Sequence, residues 1–224
     1  MGPFPLPASR GEGQVLSPIR SRALPATLPR RIKKSDLPVE PVALARFLIG
    51  TLVMRRLPEG LAGGRIVETE AYVAGDAAGH GFNGPTPRNK TLFGPPGHAY
   101  VYISYGTSMM LNVSCGPVGI GTGVLIRALE PAIGIGLMER NRGTHRLRDL
   151  ARGPGRLTQA LDIDLRFDGI DLCGKGDLWL AADGAKPPKI GRSVRIGLTK
   201  EAHRKLRFFA RGNRFVSGPT RLNA

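Results

Sequence analysis

The chain has 224 residues, enough for one sizeable domain and short for two. Its 33 Lys and Arg stand against 17 Asp and Glu, a net charge of +16, which points to a polyanionic partner, nucleic acid before an acidic membrane surface. No apolar stretch approaches the roughly 20 residues of a spanning helix, no apolar signal segment opens the chain, and two cysteines, Cys115 and Cys173, exclude a disulfide framework and fit a reducing compartment.

Residues 1–35 carry seven Lys or Arg and one acid, Glu12, with six prolines that break any helix. They read as a flexible basic arm, either a nonspecific tether to phosphates or a solvated tail; an Arg-rich, acid-poor start is also shared with organelle transit peptides. The folded domain is expected over 36–224. Val42, Leu44, Phe47 and Leu48 fall on one helical face before Gly50. Strand-like runs follow at 52–55, 65–73, 99–105, 124–129, 195–198 and 206–210, with helices expected only at 131–141 and 157–162. Residues 141–153 and 181–193 read as basic loops. The 31 glycines and 19 prolines imply many turns. The pattern predicts a single mixed α+β domain around a curved, mostly antiparallel sheet with a protruding β-hairpin and few helices.

The most informative run is Ile66-Val67-Glu68-Thr69-Glu70-Ala71-Tyr72. Alternation along a strand puts Glu68, Glu70 and Tyr72 on one face, an unusual cluster of acids in so basic a protein, although an ion-paired edge strand would look the same. His80 follows in a Gly-rich loop, then Thr86-Pro87-Arg88-Asn89, a basic polar turn suited to phosphates. All four tyrosines, Tyr72, Tyr100, Tyr102 and Tyr105, lie in this stretch rather than scattered through the core, and aromatics beside acids and a histidine suit a base-stacking pocket. Tyr105 precedes Gly106, where a hairpin would turn. Arg127 sits inside the apolar run Val124–Leu129; a buried arginine needs an acceptor, and Glu70 is the natural candidate. Gly119-Ile120-Gly121-Thr122-Gly123 is followed by a strand-like run, so it reads as a turn and not as a dinucleotide loop. Four histidines and two distant cysteines give no zinc spacing, and no deaminase signature is present.

Taken together, Gly64 to Tyr72, His80, Thr86 to Asn89, Tyr100-Val101-Tyr102, Tyr105-Gly106, Asn112, Leu125 to Pro131, Gly153-Pro154 with Leu157, Gln159 to Leu161, and Leu206 to Phe209 resemble the alkyladenine (3-methyladenine) DNA glycosylase family in order and spacing. The resemblance covers about four-fifths of the chain. It implies an enzyme that flips alkylated or deaminated purines out of duplex DNA and hydrolyses the N-glycosidic bond without strand cleavage. By position, Glu70 matches the general base, Arg127 the arginine that holds the water and the carboxylate, and the backbone carbonyl of Ile196 the third water ligand. Tyr72 and His80 match one side of the base sandwich and Tyr102 the other; Asn112 matches the residue that excludes normal purines. Tyr105 matches the residue inserted into the duplex, and Thr86, Arg88 and Arg156 align with positions near phosphates. The loop from Tyr72 to His80 is a residue shorter than in several relatives, and Thr107 and Ser108 stand where larger residues are common. Arg127 is expected to keep Glu70 ionised, since a nearby cation lowers a carboxylate pKa. No cofactor or metal is implied. The expected partner is double-stranded DNA with damaged purines, with no membrane, acted on by a monomer in the cytoplasm and nucleoid of a bacterium, or in the nucleus or an organelle of a eukaryote. The competing reading is a basic, non-catalytic nucleic-acid-binding protein on the same fold, for which Glu70 would not matter.

Overall fold

A computed structural model describes residues 29–223. In chain order the elements are β1 (Arg30–Arg31), α1 (Pro41–Leu48), β2 (Leu52–Leu57), β3 (Gly60–Tyr72), β4 (Ala99–Ser104), β5 (Ser108–Ser114), β6 (Gly123–Ile133), α2 (Ile135–Arg142), α3 (Pro154–Ala160), β7 (Leu178–Ala182), β8 (Ile190–Ser193) and β9 (Arg207–Ala210), with short 3-10 turns between them. The strands form one antiparallel sheet in the order β1-β7-β2-β3-β6-β5-β4, and β9 joins it on β3 and carries β8. This is an α+β fold with a mostly antiparallel sheet and few helices, as the turn-rich pattern predicts.

The thirteen-residue strand β3 organises the domain. Its first half pairs with β2 up to Leu52↔Arg65; its second half exchanges that neighbour for β9, through Glu68↔Phe209, Thr69↔Phe208 and Glu70↔Arg207. On the other edge it pairs with β6 throughout, with register irregularities on both sides of Glu68. Such irregularities re-aim side chains, and here two of them flank Glu68. One face of β3 enters the core through Val67 and Ala71, and the Thr69 hydroxyl donates to Ala45 O of α1 at 2.9 Å. Helix α1 starts where Glu40 caps it by accepting from the Val42 and Ala43 amides, with Pro41 in its first turn, and it buries Leu44, Ala45 and Leu48. The acids therefore occupy the opposite face of a strand fastened from behind.

Several expected boundaries move. Residues 1–28 of the expected arm lie outside the described residues, but Arg30 and Arg31 pair with Ala182 and Ala181, so the sheet begins upstream of Asp36. The helix expected from Pro131 starts at Ile135, because Pro131 and Ile133 still pair in β6 with Gly64 and Gly63; a proline tolerates this at an irregular register. The helix expected at 157–162 is Pro154–Ala160, begun by a proline at its first turn. Residues 195–198 are not a strand: β8 lies at Ile190–Ser193, inside the expected basic loop 181–193, and that loop also holds the end of β7. These short strands carry too little alternation to register as sequence periodicity. The Gly119–Gly123 run is a turn leading into β6; Gly121 lies under the Phe93 ring, and a Cβ on the facing Gly81 would sit 2.0 Å from Gly121 O, so two loops meet here backbone to backbone.

Candidate active site

A cavity of about 530 Å³ opens between the loop after β3, the β4–β5 hairpin and the loop 196–198. Tyr72, His80, Tyr102, Asn112, Arg127 and Ile196 line it, so residues drawn from five separate segments of the sequence converge on one pocket. Tyr105 and Arg88 lie at its edge.

Glu70 is fully buried just behind this wall, and its bonding partners are wall residues. Its Oε1 accepts the Ile196 N–H at 2.8 Å and lies 3.2 Å from Arg127 Nη1, while its Oε2 accepts the Tyr72 hydroxyl at 3.1 Å. The Ile196 group in contact with Glu70 is therefore the amide N–H. Glu68, also fully buried, is the closer partner of Arg127: Arg127 Nε reaches Glu68 Oε1 at 2.8 Å. The same oxygen accepts Arg207 Nε at 2.7 Å, and Glu68 Oε2 accepts the Ser217 amide at 2.6 Å. Arginines in apolar strands thus find carboxylates, as expected, but Arg127 serves two.

The two acids are pushed in opposite directions. Burial drives Glu70 above the usual carboxylate range; Arg127 and the Ile196 amide oppose this without cancelling it. Arg127 lies beside Glu70 and lowers its pKa as expected, but desolvation, which a sequence does not reveal, outweighs it. Burial also disfavours the Glu68 charge, but Arg127 and Arg207 together outweigh it and hold that carboxyl below the usual range.

His80, Tyr100 and Tyr102 form one cluster. Tyr100 and Tyr102, alternate residues of β4, stack with ring centroids 5.2 Å apart. His80 Nδ1 lies 2.9 Å from the Tyr100 hydroxyl, and its ring is 4.3 Å from that of Tyr102. Seating a base between two rings requires roughly 7 Å, twice a contact distance. His80 and Tyr102 are in direct contact, so a base placed between them displaces one ring. Desolvation of the His80 ring and, second, Arg88 lower its pKa, which favours neutral imidazole at pH 7. Asn112 faces Tyr100 across the hairpin and donates to Tyr100 O at 3.2 Å.

Tyr105 stands at the hairpin tip, 92% exposed. It and Gly106 both have positive φ, 49° and 71°, the signature of a mirror-image turn, and Thr107 N–H closes it on Ser104 O at 3.2 Å. A tyrosine held left-handed and presented to solvent costs about 1–2 kcal/mol and gains no packing. Thr86 and Arg88 are exposed, but both have partners. The Thr86 hydroxyl donates to Asn89 Oδ1 at 2.9 Å, and Arg88 Nη2 donates to Ile103 O at 2.7 Å. Arg156 pairs with Asp149 at 3.1 Å and borders a second groove beside the hairpin with Arg142 and Arg152.

Some residues of the site were not singled out by sequence reasoning. Asp76 and Arg195 form a fully buried bidentate pair, with Nη2 to Oδ1 at 3.0 Å, and the Arg195 guanidinium lies 4.6 Å from the centre of the Tyr72 ring. This pair ties the loop after β3 to the loop that aims the Ile196 amide. Breaking it leaves a buried charge, and Asp76→Ala is expected to lower stability by about 3–5 kcal/mol in urea denaturation; a loss under 1 kcal/mol would mean the pair is not buried in solution. Asn89 donates to His80 O at 2.7 Å and so fixes the histidine's backbone. Arg207 carried the signal used for Arg127, a lone arginine among apolar strand residues. Among the described residues no group of three or more His, Cys, Asp or Glu is placed to hold a metal, and no helix is long and apolar enough to cross a membrane.

Residues 35–214 match the family described as Methylpurine-DNA glycosylase (MPG). A protein of Mesorhizobium japonicum is 68% identical over 191 residues, covering 85% of this chain and 92% of its own length. One of Paraburkholderia phytofirmans is 50% identical over 189 residues, 84% of this chain and 89% of its own. One of Methanoculleus marisnigri is 44% identical over 196 residues, 85% of this chain and 98% of its own. All three bear the name "Putative 3-methyladenine DNA glycosylase". With a match spanning most of the chain and relatives aligned over nearly their full length, this chain belongs to the methylpurine-DNA glycosylase family, whose members are hydrolases of DNA repair.

Proposed function

We propose that the protein flips alkylated or deaminated purines from double-stranded DNA into the aromatic cavity and hydrolyses the N-glycosidic bond with a water activated by Glu70. The observation that carries this reading is the different surroundings of two neighbouring carboxylates: Glu68 is clamped by Arg127, Arg207 and the Ser217 amide, whereas Glu70 has Arg127, the Ile196 amide and the Tyr72 hydroxyl. Acids in such contrasting environments divide into a fixed charge and a proton-exchanging group. Glu68, held ionised by two arginines, is not the proton acceptor. Glu70, raised by burial and placed behind Tyr72, Arg127 and Ile196, is the base. Its Oε2 accepts one hydrogen bond from Tyr72 and retains a lone pair for water.

Departure of the base leaves an oxocarbenium-like sugar, which the Glu70 carboxylate stabilises electrostatically. The water oxygen bonds to the anomeric carbon as the bond to the purine nitrogen breaks; the water proton passes to Glu70. An alkylated purine leaves as a neutral base without a strong acid; a deaminated purine leaves as an anion and takes up the proton that the water gave to Glu70. Tyr72, His80 and Tyr102 stack on the base, best when it is electron-poor. Arg88 and Arg156, with Thr86, take backbone phosphates, and Asn112 rejects normal purines. Tyr105 fills the gap left by the flipped nucleotide. Among the described residues no lysine lines the cavity, which supports hydrolysis over Schiff-base lyase chemistry. We take the enzyme to act as a monomer wherever the cell keeps its DNA.

The test is a duplex bearing a single hypoxanthine or ethenoadenine. Free base is expected in solution, and the strand stays intact until alkali is added; strand cleavage without alkali would overturn the lyase-free mechanism. Tyr105→Ala is expected to fold normally, because the side chain is exposed, and to slow single-turnover release by about 10- to 100-fold, the loss of one stacking contact. A rate within twofold of wild type would remove Tyr105 from the flipping step.

A further inference from the structure

Two carboxylates on one strand face compete for Arg127. Its Nε goes to Glu68 at 2.8 Å and its Nη1 to Glu70 at 3.2 Å. The competition is settled by Arg207, a fully buried cation with every N–H donor occupied. Nε reaches Glu68 at 2.7 Å; Nη1 reaches Ser193 Oγ at 2.8 Å and Leu222 O at 3.0 Å; Nη2 reaches Ser217 O at 3.0 Å and Asn223 Oδ1 at 2.7 Å. A guanidinium satisfied at five donors does not swing. Glu68 is thus fixed from three sides, by Arg127, Arg207 and the Ser217 amide, and in turn fixes Arg127. Ser217, Leu222 and Asn223 lie beyond the matched residues 35–214.

The geometry points to Glu68, clamped by Arg207, as a positioning residue that sets how much of the Arg127 guanidinium is available to Glu70. The inference rests on the reading of Glu70 as the base. Four other groups face Glu70: Arg127 from β6, the Ile196 amide from the loop after β8, the Tyr72 hydroxyl and Glu68 from its own strand; Tyr102 of β4 also feels its charge. Arg195 stands behind Tyr72, neutralised by Asp76. Of these, Glu68 is the one negative group, and its charge adds to burial in raising Glu70, whereas Arg127 lowers it. Neutralising Glu68 removes a repulsion and releases Arg127 toward Glu70.

The test is the pH dependence of single-turnover base release by wild type and Glu68→Gln. Glu68→Gln is expected to move the acidic limb down by about one pH unit. A purely structural role for Glu68 would depress the rate at every pH and leave the limb in place, which would overturn the inference. A second measurement needs no variant: a ¹³C-carboxyl titration of wild type. The expected result is Glu70 titrating above the ordinary range while Glu68 stays ionised through that step. A single step in which both carboxyls shift together would overturn the inference, including where Glu68→Gln does not fold. If wild type releases no base, the glycosylase reading fails, and the titration still decides how Arg127 is shared.

Discussion

Glu70→Gln is expected to lower single-turnover base release by about 10²–10⁴-fold, the range for removal of a positioned general base, while duplex binding stays within a few-fold of wild type. Glutamine preserves shape and can still accept from the Ile196 amide, but it cannot take a proton from water. The substitution should also stabilise the fold at neutral pH. The folded-state pKa of Glu70 lies above its unfolded value, so its favourable contribution exists below the unfolded pKa and is lost as pH rises through the folded one. Above that point the buried charge is a net cost, which glutamine does not carry. Thermal melts should therefore show Glu70→Gln gaining on wild type as pH rises, with the difference vanishing in acid. A variant that releases base normally would remove Glu70 from the chemistry; one that melts far below wild type would mean its carboxylate is a structural ion pair.

Glu68→Ala is expected to have the opposite profile. It strips the buried Arg207 of its carboxylate and leaves Arg127 with Glu70 alone, and removing one partner of a buried ion pair costs about 3–5 kcal/mol. For a chain of this size that lowers Tm by roughly 10 °C. An exposed pair gives the control: Arg140→Ala breaks the contact with Glu59 at 2.9 Å, where both side chains are half exposed, and should cost under about 1 kcal/mol. Urea denaturation of the three proteins separates the cases; equal losses for Glu68→Ala and Arg140→Ala would contradict a buried two-arginine clamp.

Much of the candidate site was legible because strand alternation is a strong signal. The period of two put Glu68, Glu70 and Tyr72 on one face and stacked Tyr100 on Tyr102, and Tyr105-Gly106 marked the hairpin turn. Arg127 was legible as an unpaired charge among apolar residues. The division of labour between the two glutamates was not, since it depends on β9, which delivers Arg207 to Glu68 from 139 residues away. The Asp76–Arg195 pair was hidden for the same reason, spanning 119 residues. Residues 195–198 looked like a strand because Val194, Ile196 and Leu198 alternate. The direct contact of His80 with Tyr102 is a matter of packing, which residue types alone do not specify.

The most direct test of the central claim is single-turnover base release by the wild-type protein across pH, on duplexes carrying hypoxanthine, ethenoadenine or methylated purines. Free base should be released, and the rate should fall on the acid side with a limb above the ordinary glutamate pKa of about 4.3, because Glu70 must be ionised to accept the water's proton. Tight duplex binding without release of any of these bases at any pH would contradict the account and leave a nucleic-acid-binding protein on this fold.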